Sequence, residues 1–382
     1  MRESVISYFP PVHHVYVHVP FCTRRCSYCD FSIAVRRRIP GREYVEAIRA
    51  ELASLGPIGP LETIYLGGGT PSLLPPDSLA TLLHCVRERT SSPSGIEYEV
   101  EITLEANPED VTAPAVRAWR AAGVNRVSLG VQSFDDRALS WMHRVHDADQ
   151  AQRAIRLLRA GGVENLSLDL IFALPTELGR DWEEDLDRAI AAAPDHLSLY
   201  GLTVEPRTPL ARWVDRGSIG TPSDERYAEE YHRAHERLAA AGYAFYEVSN
   251  AARPGRRARH NSAYWSGAAY VGLGPAAHSF DGRTRRWNRS AWEDYRRAIV
   301  EARSPVESAE TLTEAQRALE RVYLGLRTIE GIPVSSRPEP ALRALLAQGW
   351  LLAAGDRVRC SVEGWLRLDA LVSALTERAA VS

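Results

Sequence analysis

The sequence predicts an α/β chain in which a parallel sheet curves into a partial (β/α)6 barrel, with a C-terminal winged-helix-like α+β domain behind it. Three observations predict this. From about residue 14 to 205, short β-rich runs alternate with helix-length stretches, the repeat that builds a parallel sheet. Polar and glycine-rich motifs fall at the ends of those runs, where the βα loops of such folds converge on one mouth. After about residue 308 the pattern changes to helix, helix, two short strands and a last helix.

The strands are expected at 14–19, 62–66, 98–104, 126–131, 165–171 and 196–200, each a short run rich in β-branched and aliphatic residues. Helices are expected between them at 43–55, 79–89, 113–121, 149–160 and 182–193, each closed by a nearby Gly or Pro. From Tyr227 a further helix leads to a strand at 244–248 and then to an Arg- and Gly-rich loop at 253–259. The last segment reads as helices at 314–328 and 340–348, two strands around Gly355 and Asp356, and a helix at 365–376. Three units are therefore expected: 1–205 for the partial barrel, 206–307 for a barrel extension and 308–382 for the winged-helix-like end.

Composition narrows the function classes. The chain has 382 residues, 45% hydrophobic and 25% charged, enough apolar material for a large folded core. Its formal net charge is −3, so no global basic field draws in nucleic acid. From 338 to 382 the arginines Arg343, Arg357, Arg359, Arg367 and Arg378 are scattered among acids, without a basic recognition stripe. All 46 basic residues are Arg, which excludes Lys-based Schiff-base chemistry. Residues 1–11 lack the apolar run of a signal peptide and no apolar stretch approaches ~18 residues, so a cytoplasmic protein is expected. Of five cysteines, three lie within eight positions; that is a metal or redox pattern in a reducing compartment, not a disulfide framework.

Those three are Cys22, Cys26 and Cys29, in the loop after the first expected strand. The spacing lets one tight loop turn three thiolates toward one centre, and a cubane cluster held by three Cys keeps one iron open. A Cys3His zinc site is the competing reading, because His13, His14 and His18 are nearby and a strand would put His14 and His18 on one face. Directly after the second strand comes Gly67-Gly-Gly-Thr-Pro71, where glycines allow close backbone approach to a small polar ligand and Thr70 offers a hydroxyl. It is not a phosphate loop, since the Lys of that motif is missing. Glu105, Gln132 and Asp169 lie within or at the ends of later hydrophobic strands, where an unpaired polar group is costly. Taken singly each could be a cap or a buried partner of an Arg such as Arg144; three at one rim favour a polar ligand.

On these residues the chain resembles the radical SAM (S-adenosylmethionine) superfamily. It is most similar to the branch holding oxygen-independent coproporphyrinogen III oxidase and the HemW-type heme chaperones. The resemblance runs from Val15-Tyr-Val-His-Val-Pro-Phe-Cys22 to the C-terminal domain. It implies a radical SAM barrel carrying a [4Fe–4S] cluster on Cys22, Cys26 and Cys29. It further implies SAM beside Tyr16 and Tyr28, along Gly68, Gly69 and Thr70, and at Glu105, Gln132, Arg144 and Asp169. One departure is Ala173, where relatives usually have Gly; if that Gly needs positive φ, the loop here is expected to bend differently. Within the branch, Phe31 stands where the oxidase has a further Cys, only 21 residues precede Cys22, and His260-Asn-Ser-Ala-Tyr-Trp265 matches the HNxxYW motif of the chaperones.

The resemblance thus implies a heme site at His260, a loop histidine beside Tyr264 and Trp265, with Arg256, Arg257 and Arg259 for propionates and His278 as a candidate second ligand. No Cys-x-x-Cys-His segment exists, so covalent attachment is not expected. The implied partners are heme, heme-accepting apoproteins of respiratory, membrane-associated kind, and an electron donor for the cluster; a peripheral position at the membrane is expected to accompany the cytoplasmic one. Read from the residues alone, His260 is a satisfied structural histidine and the arginines a solvated loop. The other activity the resemblance implies is oxidative decarboxylation of coproporphyrinogen propionates.

Overall fold

Six strands share one pattern, in which nearly every second residue is apolar and the residues between are polar or Gly. They are β1 (His14–Val19), β2 (Thr63–Gly68), β3 (Glu101–Ala106), β4 (Arg126–Gln132), β5 (Asn165–Phe172) and β6 (His196–Gly201). Successive side chains of a strand point to opposite faces, so the pattern sorts each strand into an apolar and a polar side. Val15, Val17, Ile64, Leu66, Leu104, Leu129, Leu168 and Leu197 are fully buried within one continuous core. The polar set, including His14, Tyr65, Glu105, Ser128, Asp169 and Ser198, meets through hydrogen bonds and electrostatic contacts across the inner face.

The computed structural model describes residues 12–55, 58–89, 99–336 and 339–376; residues 1–11, the start of the strand expected at 98, and Arg378 lie outside them. The six strands run parallel, in sequence order. Helices Gly41–Ser54, Pro76–Glu88, Ala113–Ala122, Ala148–Ala160 and Trp182–Ala191 connect them. The fourth of these shows why: Ala151, Ala154, Ile155 and Leu158 recur at helical spacing and are buried, while Asp147 caps the N-terminus by accepting from the Gln150 amide.

Two antiparallel strands, β7 (Ala244–Glu247) and β8 (Asn250–Ala252), extend the sheet past β6, and β9 (Val271–Leu273) pairs parallel to β1. The sheet order is thus β9-β1-β2-β3-β4-β5-β6-β8-β7. A second sheet is formed by β10 (His278–Phe280), β11 (Thr284–Asn288) and β12 (Val306–Thr311). The break expected between residues 307 and 308 falls inside β12, which is paired with β11.

Glu51 ties these parts together. Its buried carboxylate accepts from the Gly274 amide, Asn288 Nδ2 and the Tyr295 hydroxyl. The C-terminal segment has the winged-helix order: helix Glu314–Arg327, strand β13 (Ile332–Pro333), helix Glu339–Ala347, then β14 (Leu351–Ala354) and β15 (Arg357–Cys360) as the wing. The wing turns at Gly355 with φ +65°, a conformation that suits a two-residue hairpin loop. The single last helix expected at 365–376 is two, Val362–Trp365 and Leu368–Thr376.

Candidate functional site

A cavity of about 490 Å³ opens at the C-terminal ends of the parallel strands. Cys22, Cys26, Cys29, Tyr28, Gly68, Gly69, Thr70, Glu105, Gln132, Arg144 and Asp169 all line it. Residues from Cys22 to Asp169 are gathered there because each lies in the C-terminal half of a strand of one sheet or in the loop that follows it.

The cysteine loop is held from below by the glycine motif. Gly68 has φ +110°, and a Cβ there would lie 2.5 Å from His18 Cε1; a Cβ on Gly69 would lie 2.8 Å from the Phe21 carbonyl oxygen. These glycines permit close approach to the chain that leads into Cys22, and the same two residues line the cavity. Thr70 donates from its hydroxyl to Cys22 Sγ at 3.4 Å, and Arg144 Nη1 lies 3.6 Å from Cys26 Sγ. Burial pushes the Cys22 thiol up to about 11, opposed by the Thr70 hydroxyl. Burial also raises Cys29. Thiols raised in this way need a strong positive partner to ionise, which an iron cluster provides.

The competing zinc reading loses its fourth ligand. His18 has one ring nitrogen 3.0 Å from the Tyr16 hydroxyl and the other 3.1 Å from the Ser32 carbonyl oxygen, while His14 Nδ1 is 3.0 Å from Thr63 Oγ1. Among the described residues no three His, Cys, Asp or Glu gather around one point as a single ion needs; a cubane takes its thiolates at separate corners. The donor set fits a cluster.

The polar wall is built as follows. Glu105 accepts from the Tyr65 hydroxyl at 2.8 Å and from the Gly68 amide at 3.0 Å. Burial pushes its carboxyl up to about 7, with those two donors opposing and nearby Asp169 adding to the rise. Asp169 accepts from Ser128 at 2.9 Å and is raised by burial, against the hydroxyls of Ser198 and Ser128. Arg144 Nη2 donates to Asn107 Oδ1 at 2.6 Å and to the Gly130 carbonyl at 2.9 Å. Neither acid pairs with Arg144, and both line the cavity with their orientation set by the internal donors. Gln132 sits at φ +68° beside a bulge in β4, the kind of local strain found where a side chain is re-aimed into a site.

Tyr16, expected beside SAM, and His260, expected at a heme site, both lie outside this cavity. Tyr16 lies a layer below, stacked on Tyr65 with ring centroids 6.1 Å apart. His260 lies deeper still, at the opposite ends of the strands, and belongs to helix Arg259–Trp265 rather than to a loop. It is 1% exposed, with Nδ1 2.7 Å from Thr63 Oγ1 and Nε2 2.9 Å from the Tyr264 hydroxyl. Burial, with His14 nearby, holds it neutral, down to about 3. Arg256 pairs with Asp195, Arg257 with Glu330 and Arg259 with Glu62. His278 is exposed and its ring stacks on Trp287.

Ala173 corrects another expectation. It keeps φ +56° despite its Cβ, and the turn is clamped by its amide donating to Glu230 at 2.7 Å, with Arg180 Nη2 donating to the Ile171 carbonyl. Sequence reasoning missed Tyr65, Asn107, Ser128, Arg126 and Ser198. The alternation of polar and apolar residues along the strands was the signal that points to four of them. Arg126, 1% exposed inside the barrel, has Nε and Nη1 without a hydrogen-bond partner and favours the ionised form of both Glu105 and Asp169.

Comparison with known proteins agrees with this geometry. Residues 16–189 match the model of the radical SAM superfamily. The chain is 40% identical over 370 residues to the heme chaperone HemW of Mycobacterium tuberculosis, covering 94% of each chain. It is 33% identical over 381 residues to the heme chaperone HemW of Escherichia coli, covering 95% of this chain and 97% of that one. The solved structure of coproporphyrinogen III oxidase (HemN) from Escherichia coli, a radical SAM enzyme, superposes with a TM-score of 0.81 at 20% identity, over 97% of this chain and 91% of that one; that likeness is one of fold. The chain belongs to the radical SAM superfamily and, within it, to the family of the HemW heme chaperones.

Proposed function

We propose that the chain is a radical SAM-type heme chaperone: it holds a [4Fe–4S] cluster on Cys22, Cys26 and Cys29, binds SAM in the adjoining cavity, binds heme, and passes heme to acceptor proteins. The observation that carries this reading is the likeness, over nearly the full length, to relatives named heme chaperones. The three cysteines and the polar wall sharing one cavity support the cluster and SAM. When bound, the cluster offers an open iron for the amino and carboxylate groups of SAM. Thr70 and Arg144 would steady the thiolates, while Glu105 and Asp169 present carboxylates to the cationic ligand.

Phe31, 58% exposed at the cavity mouth, stands where the oxidase branch carries a further Cys, which supports the chaperone over the decarboxylating enzyme. Heme ligation through His260 requires one ring nitrogen of that buried histidine to give up its partner, Thr63 or Tyr264; ligation through exposed His278 does not. The acceptors are proposed to be respiratory proteins reached from the cytoplasm at the membrane surface. Among the described residues no helix is long and apolar enough to cross a membrane. The test is anaerobic reconstitution with iron and sulfide, then optical titration with heme for the wild type, His260→Ala and His278→Ala. Saturable heme binding without turnover of coproporphyrinogen supports the reading, and the variant that loses the band names the ligand. Turnover to protoporphyrinogen with SAM and reductant overturns it.

A further inference from the structure

The helix that carries His260 is anchored to β2 and β3, two of the strands that build the polar wall of the cavity. Its first amides, of Arg259 and His260, donate to the two oxygens of Glu101 at 3.1 Å each. Glu101 opens β3, and Glu105 lies four residues on along the same face. The His260 ring nitrogen Nδ1 meets Thr63, the first residue of β2, while the ring packs against Tyr65, with centroids 5.1 Å apart and planes inclined by 30°. Tyr65 is held on its other neighbours by Tyr16 and by the space at Gly67, where a Cβ would lie 2.8 Å from the Tyr65 ring and 3.0 Å from Glu105 Oε1. The far end of Tyr65 donates to Glu105.

We propose that His260 is a positioning residue of the SAM cavity, acting through Tyr65 on Glu105. The ring of His260 fixes the tilt of Tyr65, the Tyr65 hydroxyl fixes one carboxylate oxygen, and the Gly68 amide takes the other, so that Glu105 is presented to the cavity in one orientation. A buried imidazole whose two nitrogens are both engaged is rigid, and rigid support behind a binding side chain is what fixes its geometry. The proposal rests on the reading that this cavity binds SAM.

The experiment is equilibrium dialysis of labelled SAM against the reconstituted full chain for the wild type, His260→Ala, Tyr65→Phe and the double variant, with the electron paramagnetic resonance spectrum of the reduced cluster recorded with and without SAM. Each single change is expected to weaken SAM binding on the order of ten-fold, the worth of one hydrogen bond to a charged group. The double variant is expected to lose no more than either single one, because both act along one path, and the SAM-induced change in the cluster spectrum is expected to shrink in all three. Tyr65→Phe removes one hydroxyl and keeps the packing, so it carries the test if His260→Ala folds poorly. Unchanged SAM affinity in Tyr65→Phe, or losses that multiply in the double variant, overturns the positioning role while leaving the cavity assignment intact. A wild type that binds no SAM overturns the cavity assignment and this role with it.

Discussion

At the scale of single residues, the site is a set of polar groups forced into a low-dielectric barrel and rescued by specific partners. Thr70 is the clearest case, since its hydroxyl donates to Cys22 Sγ. A hydrogen bond to a cluster sulfur stabilises the reduced, more negative state. Thr70→Val is therefore expected to move the cluster midpoint potential to more negative values, on the order of tens of mV, with iron content unchanged; a redox titration that gives the wild-type potential removes this role. Glu51 shows the opposite side of burial. Its carboxyl is pushed up to about 7, burial outweighing its three donors, so the folded state holds a proton that the unfolded state has lost. Stability from this group is thus present at low pH and falls as pH rises from about 4.5 through about 7. In urea unfolding between pH 5 and 8, the stability of Glu51→Gln relative to wild type is expected to rise with pH, by at most on the order of 3 kcal/mol from the linkage relation. A difference independent of pH contradicts the assignment.

Among the elements, strands and their order were legible in the sequence, and their ends less so. The expected runs at 14–19, 126–131 and 165–171 lie within one residue of β1, β4 and β5, because polar and apolar residues alternate with the period of a strand. The helix at 259–265 was hidden by composition. Arg, Gly and Pro before it read as loop, while its N-terminus is satisfied by Glu101, 158 residues away, a partner no local pattern reveals. That cap carries a prediction: Glu101→Ala leaves two amides without their acceptor and is expected to destabilise the fold by on the order of 2–4 kcal/mol, against a chemical-unfolding result within ~0.5 kcal/mol of wild type as the contrary outcome. The turn at Ala173 was read in the other direction. A missing Gly suggested a different bend, yet Glu230 and Arg180 hold the backbone left-handed with the Cβ in place. Ala173→Gly should then relieve the cost of that conformation, stabilising by about 0.5–1 kcal/mol after the greater entropy of unfolded Gly is counted; a lower melting temperature would contradict it.

For the whole molecule, one core runs from Val12 in the barrel to Leu375 in the last helix. The winged-helix-like end is bound to the barrel extension by more than apolar contact. The Val248 amide donates to the Arg327 carbonyl and the Ile329 amide to the Tyr246 carbonyl. Arg327 itself pairs with Glu247 at 2.9 Å and lies 4.1 Å over the Trp265 ring. Trp265 ends the helix that begins at Arg259, so the C-terminal end, the HNxxYW helix and the floor of the cavity form one connected body. The three cysteines, the strand ends around them and the family were legible in sequence because they are local motifs. The depth of His260 was not, because the faces that enclose it come from β1, β2 and β3 only once the sheet has assembled. The measurement that tests the central claim most directly is optical titration of the anaerobically reconstituted full chain with heme. A cluster band joined by a saturable Soret band, with no coproporphyrinogen consumed when SAM and reductant are present, is the predicted result. A cluster with no saturable heme binding, or with steady coproporphyrinogen turnover, would contradict it.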